Sequence, residues 1–197
     1  MDSTFGICGK DFVIIASDTA VNRSIFTLKH DDDKIMQLNK FKIMSCTGEQ
    51  TDRQYFSNYI MRNLQLIEYR TGCEPDVEST AQWIRTETAS SLRSRAPFQV
   101  NALIGGYDLL DKKAKLYWMD YLGTLQQVVK GAHGYAGYFV NSVLDNQFRQ
   151  DMSLEDGKAA MRKCVLELQT RFIINQPNFV MKIVTADGVK VEPLFAQ

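Results

Sequence analysis

The sequence has no excess of charge of either sign: Lys plus Arg and Asp plus Glu number 23 each. That balance removes the electrostatic footprint by which proteins hold nucleic acid or acidic membranes, so neither is expected as a partner. Metal-binding side chains are also scarce. The two histidines, His30 and His133, and the four cysteines, Cys8, Cys46, Cys73 and Cys164, are scattered without CxxC or Cys/His spacing, and no metal or cofactor is expected. Reduced thiols of an intracellular protein are the reading for the cysteines. No apolar run approaches the ~20 residues of a membrane span, and the first residues lack the basic and apolar regions of a signal peptide. Internal repeats, linkers and low-complexity segments are missing too.

What remains is an ordinary globular composition, 45% hydrophobic and 23% charged over 197 residues, enough for one sizeable core and one domain over 1–197. Short stretches rich in Val, Ile and Phe come first. "TFGICG" and "FVIIASD", turned at Lys10 and Asp11, read as a hairpin, and "KIMQL" with "FKIMSCTG", joined at Asn39 and Lys40, as another. After Gly48 the apolar residues recur every three or four positions, predicting a long amphipathic helix that ends near Gly72. A second helix is expected from about Val77 to Leu92, with Pro97 barring its continuation.

Strand patterns return in "FQVNALIGGYD", "AKLYWMDYLG" and "LQQVVKG", which read as an antiparallel meander. Helical spacing resumes in "YAGYFVNSVLDNQF" and in "SLEDGKAAMRKCVLELQTRFII", where Ser153 and Asp156 mark a start. A closing hairpin turns at Asp187 and Gly188. The order is strands, two helices, strands, two helices, strands. The fold class is therefore α+β, with two antiparallel sheets flanked by helix pairs in a four-layer α-β-β-α sandwich.

This layering, with a hairpin at the very start, resembles the proteasome beta-subunit family of N-terminal nucleophile hydrolases. The residues that carry the resemblance are "VIIASDTA", "DDDKI", "SCTGEQTD", "LRSRAPFQVNALIGGYD", "YWMDYLGT", "AHGYAG" and "RFIINQPNFVMKIV", which span essentially the whole chain. Catalytic members use an N-terminal threonine whose hydroxyl attacks the peptide carbonyl while its own amine serves as base. Asp18 and Lys34 stand at the positions of the aspartate and lysine that assist it.

Those two residues are sixteen apart, and in catalytic relatives the threonine precedes the aspartate by the same interval. Counting back from Asp18 gives Asp2, a carboxylate without a hydroxyl, its amine acylated by Met1. Thr4 is the nearest candidate nucleophile. It sits two strand residues further on, a shift of about 6.5 Å, where catalytic hydrogen bonding needs about 3 Å. The resemblance also places Tyr135 where active relatives have a helper serine, and Phe172 near the position of their last aspartate.

The Asp18–Lys34 pair has two readings, a remnant active site or an ion pair closing the hairpin pocket. "DDDK" reads as a solvated turn leading into a strand, because consecutive aspartates on extended chain alternate faces and do not converge on a metal. Gly105 and Gly106 read as a strand end or bulge, His133 as a packed or capping residue, and Cys8 as a small apolar strand residue.

By resemblance, the chain is a non-catalytic structural and assembly subunit of the 20S core in ubiquitin-dependent protein degradation, in cytoplasm and nucleus. Its partners would be other beta subunits in a seven-membered ring, the alpha-ring subunits, the opposite beta ring, and a neighbouring chymotrypsin-like catalytic subunit. Tyr55, Tyr59, Tyr135, Tyr138 and Phe139 are interface candidates, with packing on the sheet as the competing reading, and the tail "KVEPLFAQ" reads as an arm reaching a neighbour. Two alternatives stand beside this one: an active, self-processing threonine protease using Thr4, and a free-standing binding protein of the same fold.

Overall fold

A computed structural model describes residues 2–23 and 26–194. Strands β1 (Ser3–Cys8) and β2 (Val13–Asp18) form the first hairpin, with Thr4 opposite Ser17 and Cys8 opposite Val13. All six residues of each strand are buried, which explains why neither shows the apolar–polar alternation of a half-exposed strand. In β1, Phe5 and Ile7 point to one apolar cluster and Cys8 to another. Thr4 faces the same way as Cys8, reaching Ser45 in the opposite sheet. One strand thus separates two cores.

The chain then makes a two-stranded ribbon, β3 (Val21–Arg23) with β4 (Phe26–Lys29), which the sequence reading did not anticipate. Strands β5 (Ile35–Asn39) and β6 (Lys42–Gly48) follow, and helix α1 (Gln50–Thr71) begins where the Glu49 side chain accepts from the backbone N–H groups of Thr51 and Asp52. It ends at Gly72, whose left-handed φ of 68° suits a helix terminus. Helix α2 (Val77–Ser91) precedes β7 (Val100–Asp108), β8 (Lys113–Met119) and β9 (Leu125–Val128). Strand β10 (Lys130–Gly134) leads to α3 (Ala136–Gln147), and α4 (Leu154–Arg171) starts with a reciprocal capping box between Ser153 and Asp156. Strands β11 (Phe179–Thr185) and β12 (Gly188–Pro193) complete the order.

One sheet runs β10-β1-β2-β11-β12 and the other β5-β6-β7-β8-β9, every pairing being antiparallel. Helices α3 and α4 bury Val140, Leu144, Met161, Cys164 and Leu168 against the first sheet. Helices α1 and α2 bury Phe56, Ile60, Ala81 and Ile84 against the second. Val13, Ile15, Ile43, Leu103 and Leu116 fill the space between the sheets. The four-layer α-β-β-α sandwich is the observed architecture.

Some details differ from the sequence reading. "LQQVVKG" is two strands rather than one: β9 closes the second sheet, and after Val129 the chain crosses to place β10 beside β1 in the first. Gly105 and Gly106 lie inside β7 in unbroken register, not at an end or bulge. Their lack of a side chain serves packing, since a Cβ on Gly105 would come within 2.6 Å of Val13 in the facing sheet, and one on Gly106 within 2.7 Å of Val77 in α2. At the far end, Val191–Pro193 belong to β12 and Leu194 is buried in the chain's own core. That part of the tail is not a free arm, and residues 195–197 lie outside the described residues.

Candidate functional site

The end of β2 delivers Asp18 to the mouth of the sandwich, and the pairing of β1 with β2 sets the start of the chain against it. Ser3 N–H donates to Asp18 Oδ1 at 2.8 Å, and Ala20 N–H donates to Oδ2 at 3.2 Å. Lys34, just before β5, inserts its ammonium here. Its Nζ lies 2.7 Å from Asp2 Oδ1, 2.8 Å from Asp18 Oδ2 and 2.7 Å from the Ala20 carbonyl oxygen. Three acceptors saturate the three donors of an ammonium.

The side chains of Lys34 and Asp18 have no exposure, and that of Asp2 keeps 12%. Burial is the largest influence on both carboxyls and opposes ionisation. For Asp18 it prevails over the Lys34 charge and hydrogen bond, and the pKa is raised. For Asp2 the balance reverses: the Lys34 charge and hydrogen bond, the Arg53 charge and the Gly48 N–H outweigh burial, and the pKa is lowered. Gly48 N–H reaches Asp2 Oδ2 at 3.2 Å.

Glycine is needed at two positions around Asp2. Gly134 has φ +71°, and any Cβ there would stand 2.0 Å from the Asp2 carbonyl oxygen, which accepts instead from Tyr135 N–H at 3.3 Å. Gly48, with φ +144°, passes the Gln99 carbonyl at a distance no side chain permits. Both backbones close in on the beginning of β1.

Within this cluster Lys34 contacts two carboxylates and a carbonyl, and no hydroxyl or thiol. Thr4 is fully buried, and its hydroxyl donates to the Ala16 carbonyl at 3.1 Å and shares a 2.8 Å bond with Ser45 Oγ. His133, a buried residue of β10, places Nε2 3.0 Å from the Ala102 carbonyl and stacks on Trp118. Burial drives its pKa down to about 4. Burial also pushes the thiols of Cys8, Cys46 and Cys164 up to about 12, 11 and 12, so they stay protonated.

The "DDDK" run leads into β5 with Asp31 and Asp33 exposed, as its sequence suggests, but it is tied down more than a solvated turn. Asp31 does remain exposed beside Lys29, but Asp32 meets Arg53 of α1 at 2.8 Å and Asp33 meets Lys182 of β11 at 2.6 Å. Alternate side chains reach separate cations in separate elements.

A family model for the proteasome subunit matches residues 2–184. The chain is 43% identical to proteasome subunit beta type-4 of Saccharomyces cerevisiae over 190 residues, covering 96% of each. It is 41% identical to proteasome subunit beta type-2-B of Arabidopsis thaliana, covering 96% of this chain and 94% of that one. With proteasome subunit beta type-2 of Dictyostelium discoideum the identity is 38% across 100% and 99%. The chain belongs to the proteasome subunit family.

In this proteasome-family chain, Tyr135 and Phe172, the positions to which the resemblance assigns two polar groups in active relatives, carry aromatic rings in contact. Tyr135 and Phe172 stack with centroids 5.5 Å apart, and Phe139 tilts against Phe172 at 5.7 Å. Phe139 is partly buried on the core under α3, whereas Tyr138 on the same helix is 84% exposed. On α1, exposed Tyr55 stacks on Phe98 and on Tyr59, whose hydroxyl donates to Glu87 at 2.7 Å.

Sequence reasoning brought Asp2, Asp18 and Lys34 together. It missed the backbone half of the site: the Ser3, Ala20 and Gly48 N–H groups and the Ala20 carbonyl. The one available signal was Gly48, a glycine between a strand and a helix.

Proposed function

We propose that this chain is a non-catalytic beta subunit of a proteasome core, which serves by shape and contact and does not cut peptides itself. The observation that carries this is the Asp2 carboxylate bonded to Lys34 at 2.7 Å, at the position where catalytic relatives carry the reacting threonine. Asp2 offers no hydroxyl, and Lys34 is saturated by the two carboxylates and the Ala20 carbonyl. Tyr135 and Phe172, stacked on each other, stand in place of two further polar groups.

On this reading the chain fills one place in a seven-membered beta ring, between alpha-ring subunits and an opposite beta ring, in cytoplasm and nucleus. Its wall also borders the chymotrypsin-like neighbour. Heterologous contacts close a ring only if each subunit has the right wedge, and the helix pairs α1/α2 and α3/α4 offer two opposite outer faces for such contacts.

The test is N-terminal mass measurement of the chain from assembled particles, combined with labelling by a threonine-directed peptide inhibitor. The expected result is no adduct and no new terminus at Thr4. A chain that begins at Thr4 and carries the inhibitor would refute the proposal.

A further inference from the structure

At the end of the sandwich opposite Lys34, the two sheets part around a groove of about 710 Å³, within the range of ligand-binding clefts. Its floor is apolar, formed by Cys8, Ala114, Val128 and Phe148, and Lys10, Lys112 and Lys113 stand on its rim with Asp151 as the one lining carboxylate. The three lysines are exposed, and among the described residues none pairs with a carboxylate. The rim is therefore positive in a chain whose overall charge is zero.

One wall is the backbone of β9. This strand ends its sheet, so among the described residues one of its edges has no partner strand, and only the Val129 carbonyl just beyond it is already taken, by Cys8 N–H at 2.8 Å. Four consecutive residues, Gln126 to Val129, line the groove, as they do when a strand presents its edge rather than a face. The Gln127 carbonyl shows the same thing: its hydrogen bond comes from the neighbouring Gln126 side chain at 3.1 Å. Such an amide can move away and leave the carbonyl to an incoming N–H.

We propose that this groove docks an extended acidic peptide segment of a partner protein, which adds a strand to β9, sets alternate apolar side chains on the Val128–Phe148 floor and places carboxylates beside Lys10, Lys112 and Lys113. Edge addition supplies main-chain hydrogen bonds, and the pockets select alternate side chains. The occupant is acidic because the unpaired charges on the rim are positive. The groove lies away from Asp2 and Lys34, so the inference holds whether or not the subunit is catalytic.

The test uses assembled particles containing the chain and a fluorescein-labelled peptide that alternates Glu with Val. Saturable binding is expected, weakened roughly tenfold by Lys112→Glu with Lys113→Glu and by raised salt, as for rim charges. Hydrogen exchange of residues 125–129 should slow when the peptide is added. Equal binding by the double variant, or by a Lys/Val peptide of the same length, would overturn the proposal. So would full exchange protection of 125–129 in particles without peptide, which would mean that ring neighbours already cover the edge. If the lysines only guard the edge against self-association, the double variant would aggregate and the wild type would bind no peptide, which also refutes it.

Discussion

The ring of Tyr135 lies on that of Phe172 at a centroid distance of 5.5 Å and an interplanar angle of 26°. The contact ties the start of α3 to the end of α4, beside the backbone N–H of Tyr135 that holds the Asp2 carbonyl. Converting the pair to Tyr135→Ser with Phe172→Asp is expected to cost about 1 kcal/mol of stacking plus the buried ring area and to yield no peptide cleavage. Thermal unfolding and a fluorogenic peptide assay check the two halves.

Lys34 is the member of the ion cluster that the fold can least do without. Lys34→Ala leaves two carboxylates buried without a cation, a loss on the order of 3–5 kcal/mol. Asp2→Asn, at the partly exposed corner, is expected to cost about 1 kcal/mol, the scale of one hydrogen bond to a charged group weakened to neutral. Denaturant unfolding of the two variants should keep that order, and equal losses would contradict the burial argument.

Acid should destabilise the chain from near neutrality. His133 has an ordinary pKa of 6.5 and a folded value of about 4, so the unfolded chain binds the proton first. Its contribution to stability is present above pH 6.5 and is lost as pH falls towards 4, on the order of 3 kcal/mol in all. The two carboxyls act in opposite senses: Asp2, lowered, loses its contribution as pH falls, while Asp18, raised, favours the folded state when protonated. His133→Gln should flatten the slope of melting temperature against pH between 6.5 and 4.

Thr4 is a structural hydroxyl. Thr4→Val removes its bond to Ala16 and leaves Ser45 Oγ to find another partner, a cost of about 1–3 kcal/mol. Peptide cleavage by the assembled particle at this subunit should not change, and a loss traceable to it would favour a Thr4 nucleophile.

Gly105→Ala should act through overpacking. The added methyl would meet Val13 at 2.6 Å and Ile15 at 3.2 Å across the gap between the sheets, costing about 1–3 kcal/mol. A variant with unchanged stability would show that the sheets separate freely.

Elements whose evidence is local were legible in the sequence. Helix α1 announced itself by the spacing of Phe56, Ile60 and Leu64 and by Gly72, and α4 by Ser153 with Asp156. The Asp2–Lys34–Asp18 cluster was legible through the family resemblance, which places Asp18 and Lys34 at the site and whose interval, counted back from Asp18, leads to Asp2. The crossing from β9 to β10 was not, since the change of sheet at Val129 leaves no mark in an uninterrupted run of strand-forming residues. The β3–β4 ribbon was missed although Phe26 and Leu28 alternate with Thr27 and Lys29, because the run is only four residues long; all four are exposed. The ion pair of Asp33 was missed for a third reason: its partner Lys182 lies far along the chain, and no local rule pairs them.

Three consecutive side chains, Asp32, Asp33 and Lys34, bind α1, β11 and the β1–β2 hairpin respectively. The segment works as a three-pronged rivet through the sandwich, and the spacing of its prongs is set by the alternation of extended chain. One residue inserted between Asp32 and Asp33 would turn the later prongs to the opposite side, so a change of length here should cost more than the loss of any single prong, Lys34 included.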